Sequence, residues 1–257
     1  MSALLVSADG IPVGTIEIEN GRWEFGYEAE WKAYALSPNF PIATGKFEDT
    51  MDAKPVEWFF ENLLPEGRLR DLIASRDRID PRDTWALLIR HGQDTAGALS
   101  LIPEGFDVAT EEILVPLARE ALQEKIEESR ARNLPLMASW EEIRMSLAGA
   151  QEKLGLRIDA SGALFLPEGS APSTHIVKPE NASADFPHCP ANEFFCMRLA
   201  HELKVPVPAV GLLHLPEPLY FIERFDRVPL GDGVEKIAGR AFGRLHQIDL
   251  CQALGVA

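Results

Sequence analysis

The strand-like segment Thr174-His-Ile-Val-Lys178 and the helical run from Asn192 to Leu203 that follows it constrain this chain more than any other feature. Side chains alternate along an extended strand, so Ile176 and Lys178 share one face. If that face is interior, the lysine needs an anion, because burying an unpaired ammonium is strongly unfavourable. The helix offers one. Glu193 lies on the side that carries Cys196, Leu199, Ala200 and Leu203, and that spacing predicts an apolar, inward-facing stripe. The same residues also fit an edge strand whose lysine ends in solvent, with Glu193 merely favouring the helix N-terminus.

Two neighbouring segments bear on the choice. In Ser146-Leu-Ala-Gly-Ala-Gln-Glu-Lys153 the side chains are small enough for backbone N–H groups to approach a phosphate, and a lysine closes the run. Taken alone, such a stretch also reads as an ordinary β-turn. Leu219-Tyr-Phe-Ile222 reads as a strand, and Glu223-Arg-Phe-Asp226 follows it, where main-chain groups are free to meet an adenine edge. A phosphate loop, a strand lysine, a helix glutamate and a hinge, in that order, make the upper half of an ATP-dependent kinase site.

Elsewhere the pattern divides in two. Asp9-Gly10 and Asn20-Gly21 are hairpin turns flanking the alternating Thr15-Ile-Glu-Ile-Glu19, so residues 3–28 read as an antiparallel meander. Pro55 suits a first helical position, and Val56, Phe59, Phe60, Leu63 and Leu64 follow at helical spacing. Helices are predicted at 68–75 and 84–89, and a strand at 97–102. Leu114, Leu117, Ala121, Leu122 and Ile126 predict a further helix. Strands are predicted at 154–158, 164–166, 175–178, 210–213 and 219–223, and a last helix near Gln247. The expected fold is α+β: residues 1–105 form an N-terminal subdomain with a β-meander and helices. Residues 106–257 form a protein-kinase-like N-lobe, an antiparallel sheet of five strands with one helix after the third.

Composition excludes several classes. With 25 Lys and Arg against 40 Asp and Glu, the net charge of −15 repels nucleic acid unless a local patch overrides it. The best candidate patch, Arg68 to Arg90, is interrupted by Asp71, Asp77, Asp80 and Asp83 and reads as a mixed-charge surface. Three cysteines without CxxC spacing indicate neither a disulfide framework nor a zinc site. No run approaches the roughly 20 apolar residues that span a bilayer. The expectation is a cytoplasmic protein with no membrane contact.

The strings MSLAGAQEKLGL, STHIVKP, ANEFFCMRLAHEL and FIERFDR, with Trp58-Phe-Phe-Glu-Asn-Leu-Leu-Pro65 and the segment from Asp94 to Pro103, resemble the HipA-like serine/threonine kinases, toxins of type II toxin–antitoxin pairs. The resemblance covers essentially the whole chain. It implies a phosphate-binding loop formed by Ala148, Gly149, Ala150, Gln151, Glu152 and Lys153, with Lys178 on the ATP phosphates. It places Glu223, Arg224 and Phe225 at the adenine. Ser146 matches the family's autophosphorylated serine, and a phosphate there would carry about −1.5 to −2 charge and expel the loop. The resemblance further implies an antitoxin partner of the HipB type, DNA contact only through that antitoxin, and a translation component such as an aminoacyl-tRNA synthetase as substrate.

Phosphoryl transfer also needs a catalytic-loop Asp, an Asn five residues on, and an Asp holding Mg²⁺. The last asparagine here is Asn192, so no such motif follows the hinge, and Asp185-Phe186 is followed by Pro187 rather than Gly. The chain is therefore expected to be the N-terminal part of a HipA-like kinase, cut before the catalytic loop and inactive alone. The alternative is a non-catalytic interaction or nucleotide-binding module. An unrelated metabolic ATP-binding enzyme is a third reading, which the NLLPEG-bearing subdomain disfavours.

Overall fold

Asp-Gly and Asn-Gly turns set the start of the molecule. In the computed structural model, which describes residues 3–106, 111–132, 136, 151–181, 186–230 and 241–256, Asp9 and Gly10 take φ of 49° and 79°, and Asn20 and Gly21 take 52° and 77°. Paired left-handed residues are what a tight two-residue hairpin requires. They connect β1 (Ala3–Ala8), β2 (Ile11–Glu19) and β3 (Arg22–Tyr27). With β4 (Lys46–Glu48) and β5 (Leu99–Pro103) these form an antiparallel sheet of order β4-β3-β2-β1-β5.

The apolar stripe after Pro55 packs as its spacing predicts. In α1 (Pro55–Glu61) and the turn after it, Val56, Phe59, Phe60, Leu63 and Leu64 are all buried. The Asp49 carboxylate accepts from the N–H groups of Val56 and Glu57 and so fixes the helix start. Phe25, Phe40, Phe59 and Phe60 meet mostly edge to face, the arrangement aromatic quadrupoles favour. Next come α2 (Gly67–Asp77) and α3 (Thr84–His91). Arg70 pairs with Glu61, Arg76 with Asp77 and Arg82 with Asp80, so these arginines are committed to carboxylates.

The described residues form two units. The first holds 3–106 together with 228–230 and 241–256, and the second holds 111–132, 136, 151–181 and 186–227. Residues from Val228 onward, expected to continue the second unit, fall in the first. They include part of β12 (Arg227–Pro229), which pairs with β13 (Phe242–Arg244), and α6 (Leu250–Leu254). That last helix begins beyond Gln247 because Asp249 and Gln252 close a reciprocal capping box at its start.

The second unit is a six-stranded sheet of order β10-β11-β9-β7-β8-β6, antiparallel at every pairing the described residues show. Its elements are β6 (Glu112–Leu117), α4 (Arg119–Arg132), β7 (Leu154–Ile158), β8 (Leu164–Gly169) and β9 (His175–Lys178). α5 (Cys189–Glu202), β10 (Val210–Leu215) and β11 (Glu217–Glu223) follow. Six strands with α5 after the fourth replace the expected five with a helix after the third. The extra strand is β6, where Leu114 and Leu117 were expected in a helix. Pro116 cannot sit in a helix interior, and Ile113 to Leu117 pair instead with Leu164 to Glu168 of β8. The helical stripe starts later, with Leu122 and Ile126 buried. Among the described residues no helix is long and apolar enough to cross a membrane.

Candidate functional site

The site is built on β9, β11 and α5 of the second unit. Antiparallel register sets Tyr220 opposite Lys178 and Ile222 opposite Ile176, so all four project to one face of the sheet. α5 packs on β10 and β11. Glu180 fixes where it begins, accepting from the N–H of Cys189 at 3.1 Å, with His188 turned left-handed before it.

The structure brings Lys178 and Glu193 together. Lys178 Nζ donates to Glu193 Oε2 at 2.6 Å, and both side chains keep about a quarter of their surface, 22% and 27%. An ammonium has three donors, and this bond engages one of them. Tyr220 lies beneath, its ring centroid 5.8 Å from Nζ. Its residue is fully buried, and its hydroxyl has no partner among the described residues. Burial, and then the charge of Glu193, push the phenol up to about 12. Tyr220 was missed in the sequence, although its cross-strand place beside Lys178 follows once β9 and β11 are paired.

The inward side of α5 differs from the expected stripe. Cys196, Leu199 and Leu203 are exposed, whereas Glu193, Phe194, Met197 and Ala200 are half-buried and Pro190 is buried. α5 carries apolar residues nearly all round, so periodicity alone could not tell which side the sheet would take.

At the end of β11 the backbone and the side chains part ways. Glu223 N–H donates to Ala209 O and Arg224 N–H to Thr174 O, both at 2.9 Å. The Glu223 carbonyl and the Phe225 N–H have no such partner among the described residues, and the Phe225 side chain is 69% exposed. Arg224, placed at the adenine by the resemblance, turns its side chain inward. Its guanidinium forks onto Asp226 at 2.9 and 2.7 Å and also donates to Ser173 Oγ at 2.9 Å. Arg227 Nη1 joins the same carboxylate at 2.9 Å, and all three charged side chains are almost wholly buried. A bidentate Arg–carboxylate pair is rigid, so this cluster shapes the hinge from below. Next to it, burial holds the His175 imidazole below its ordinary range, against the pull of Glu223.

Of the residues expected to bind phosphate, Ala148, Gly149 and Ala150 lie outside the described residues, as do Ser146 and Asp185. Gln151 is half-buried and Lys153 buried. The Glu152 carboxylate accepts from Ser129 Oγ at 3.3 Å and from the N–H of Leu136, which ties Glu152 to α4 and to Leu136. Lys178 with Glu193, and the hinge carbonyl and amide, fit a nucleotide. Among the described residues no group of three or more His, Cys, Asp or Glu is placed to hold a metal ion.

Two family descriptions match the chain: the HipA N-terminal domain over residues 4–102 and the HipA-like C-terminal domain over residues 145–257. A putative kinase of Sinorhizobium fredii, Y4mE, is 35% identical over 96% of this chain and 58% of its own length. The serine/threonine-protein kinase toxin HipA of Shewanella oneidensis is 33% identical over 89% of this chain and 49% of its own length. A solved complex of Shewanella oneidensis HipA with HipB and operator DNA aligns with a TM-score of 0.74 at 29% identity, over 99% of this chain and 56% of that one. The chain thus spans about half the length of the relatives it matches.

Proposed function

This chain belongs to the HipA-like family, and from that premise we propose that it forms the nucleotide-binding half of an ATP-dependent serine/threonine kinase toxin. Lys178 binds ATP phosphates through the donors that Glu193 does not engage. Glu193 keeps the ammonium aimed. The Glu223 carbonyl and Phe225 N–H meet the adenine edge, held in place by the Arg224–Asp226–Arg227 cluster. Residues 148–153 are the proposed phosphate-binding segment, and phosphorylation of Ser146 would oppose ATP there by like charge. The catalytic Asp, and the carboxylate that would hold Mg²⁺, would then lie in a part corresponding to the relatives' length outside this match. Magnesium would neutralise charge on the phosphates once that part is present.

The observation that carries this reading is the 2.6 Å contact between Lys178 and Glu193, from a sheet strand and the helix packed on that sheet. A HipB-type antitoxin is the natural partner, because the Shewanella oneidensis relative was solved with HipB and operator DNA. Contact with DNA would then run through the antitoxin, in keeping with the net charge of −15. A translation component such as an aminoacyl-tRNA synthetase remains the substrate class proposed, in the cytoplasm.

Calorimetric titration with ATP tests the proposal. A charge-assisted hydrogen bond is worth about 1.5–3 kcal/mol, so Lys178→Met should weaken ATP binding by roughly 10- to 100-fold. Equal affinity in the variant, or no binding by the wild-type chain, would overturn it.

A further inference from the structure

The first unit is completed by a segment remote in sequence. Residues 242–256 return to it and are held at four separate places. Near the β1–β2 turn, Asp9 Oδ2 accepts from Arg244 N–H at 3.0 Å. Beside β5, the Arg244 guanidinium reaches Ser100 Oγ and Asp94 Oδ1, each at 3.1 Å, in an ion pair whose side chains are only 5% and 15% exposed. After β3, His246 Nε2 donates to Leu36 O at 2.8 Å while its ring stacks on Tyr34, centroids 4.6 Å apart. At α1, Gln252 Nε2 donates to Phe59 O at 2.9 Å and Asn62 Nδ2 to Val256 O at 2.9 Å. Nearby, Asn39 Nδ2 donates to Ala253 O at 3.1 Å.

Shape agrees with these bonds. Ile248 packs against the aromatic core. Gly97, at φ 79°, lies close against the segment, since a Cβ there would be 3.1 Å from Gln247 N. Two anchors, Arg244 and Gln252, enter buried places, and around them lie bonds to the main-chain carbonyls of Leu36, Ala253 and Val256 and to the Arg244 N–H. Anchors in pockets surrounded by main-chain bonds are how folded domains hold peptides.

We propose that residues 3–106 are a receptor module for a peptide segment, an extended stretch bearing an arginine that runs into a short capped helix bearing a glutamine, supplied here by residues 242–256. The module grips that segment by contacts of its own and does not depend on the chain that joins the two. This inference stands apart from the nucleotide reading and uses none of its residues.

The test cuts the full chain. A specific protease site placed at residues 107–110 is cleaved after folding, and the two pieces are run on a sizing column under native conditions. The expected result is co-elution, with an excess of synthetic peptide 241–257 releasing the 1–106 piece. Arg244→Ala combined with Gln252→Ala should weaken the association of the pieces at least tenfold, with circular dichroism of the uncut variant reporting its fold. Separation of the wild-type pieces overturns the proposal. So does a nicked complex that resists excess peptide, because its contacts would then lie elsewhere. For a variant that loses its fold, the peptide competition alone decides.

Discussion

In the first unit α1 is covered, and in the second α5 is left half open. α1 presents Val56, Phe59 and Phe60 to a sheet whose own aromatic residues enclose them. α5 rests on β10 and β11 with Phe194, Met197 and Ala200 only half-buried, while Phe195, Leu199 and Leu203 stand 64%, 48% and 68% exposed. Polar groups divide less cleanly, since the Arg224–Asp226–Arg227 cluster of the second unit is buried too. In the first unit, buried polar side chains such as Asp49, Arg244 and Gln252 fasten backbone or other chain segments. In the second, the Lys178–Glu193 pair stays accessible. Stability is concentrated where polar groups are fully engaged, and binding where a charged group keeps donors to spare.

The sharpest way to break this contrast is a cavity in the closed unit. Phe60→Ala removes a fully buried ring and should cost about 3–5 kcal/mol in denaturant unfolding. A loss under 1 kcal/mol would mean the aromatic core is not what closes the unit. A smaller effect is expected from acid. Burial holds the His246 imidazole below its ordinary range, partly offset by its bond to Leu36 O. The unfolded chain therefore takes the proton first, so stability should fall as pH drops below about 6.5 and be insensitive to this group above that. His246→Gln should flatten that slope in urea titrations run at several pH values. The smallest effect belongs to the open side: Leu199→Ser should change stability by no more than about 0.5 kcal/mol. A cost near that of Phe60→Ala would show that α5 is covered after all.

Local chemistry was legible where it alone decides the outcome. Asp9-Gly10 and Asn20-Gly21 demand left-handed backbone, and the stripe after Pro55 has one apolar side, so the meander and α1 follow from their own residues. Leu114 and Leu117 have helical spacing by coincidence, and pairing with the distant β8 overrides it. The face expected for α5 was wrong for the opposite reason, an excess of apolar residues. At the site, Lys178 and Glu193 were visible as residue types on two elements. The Arg224–Asp226–Arg227 cluster was not, because a charged run after a strand looks solvated until tertiary packing buries it. The return of residues 242–256 to the first unit leaves no periodic signal at all.

The central claim is that Lys178 and Glu193 act as one unit in binding ATP, and a double-mutant cycle read by ATP calorimetry tests it most directly. Lys178→Met and Glu193→Gln should each weaken binding, and the double variant should be scarcely worse than Lys178→Met alone, since the carboxylate acts through the lysine. Losses that simply add, or a Glu193→Gln variant that binds ATP as well as the wild type, would contradict the account.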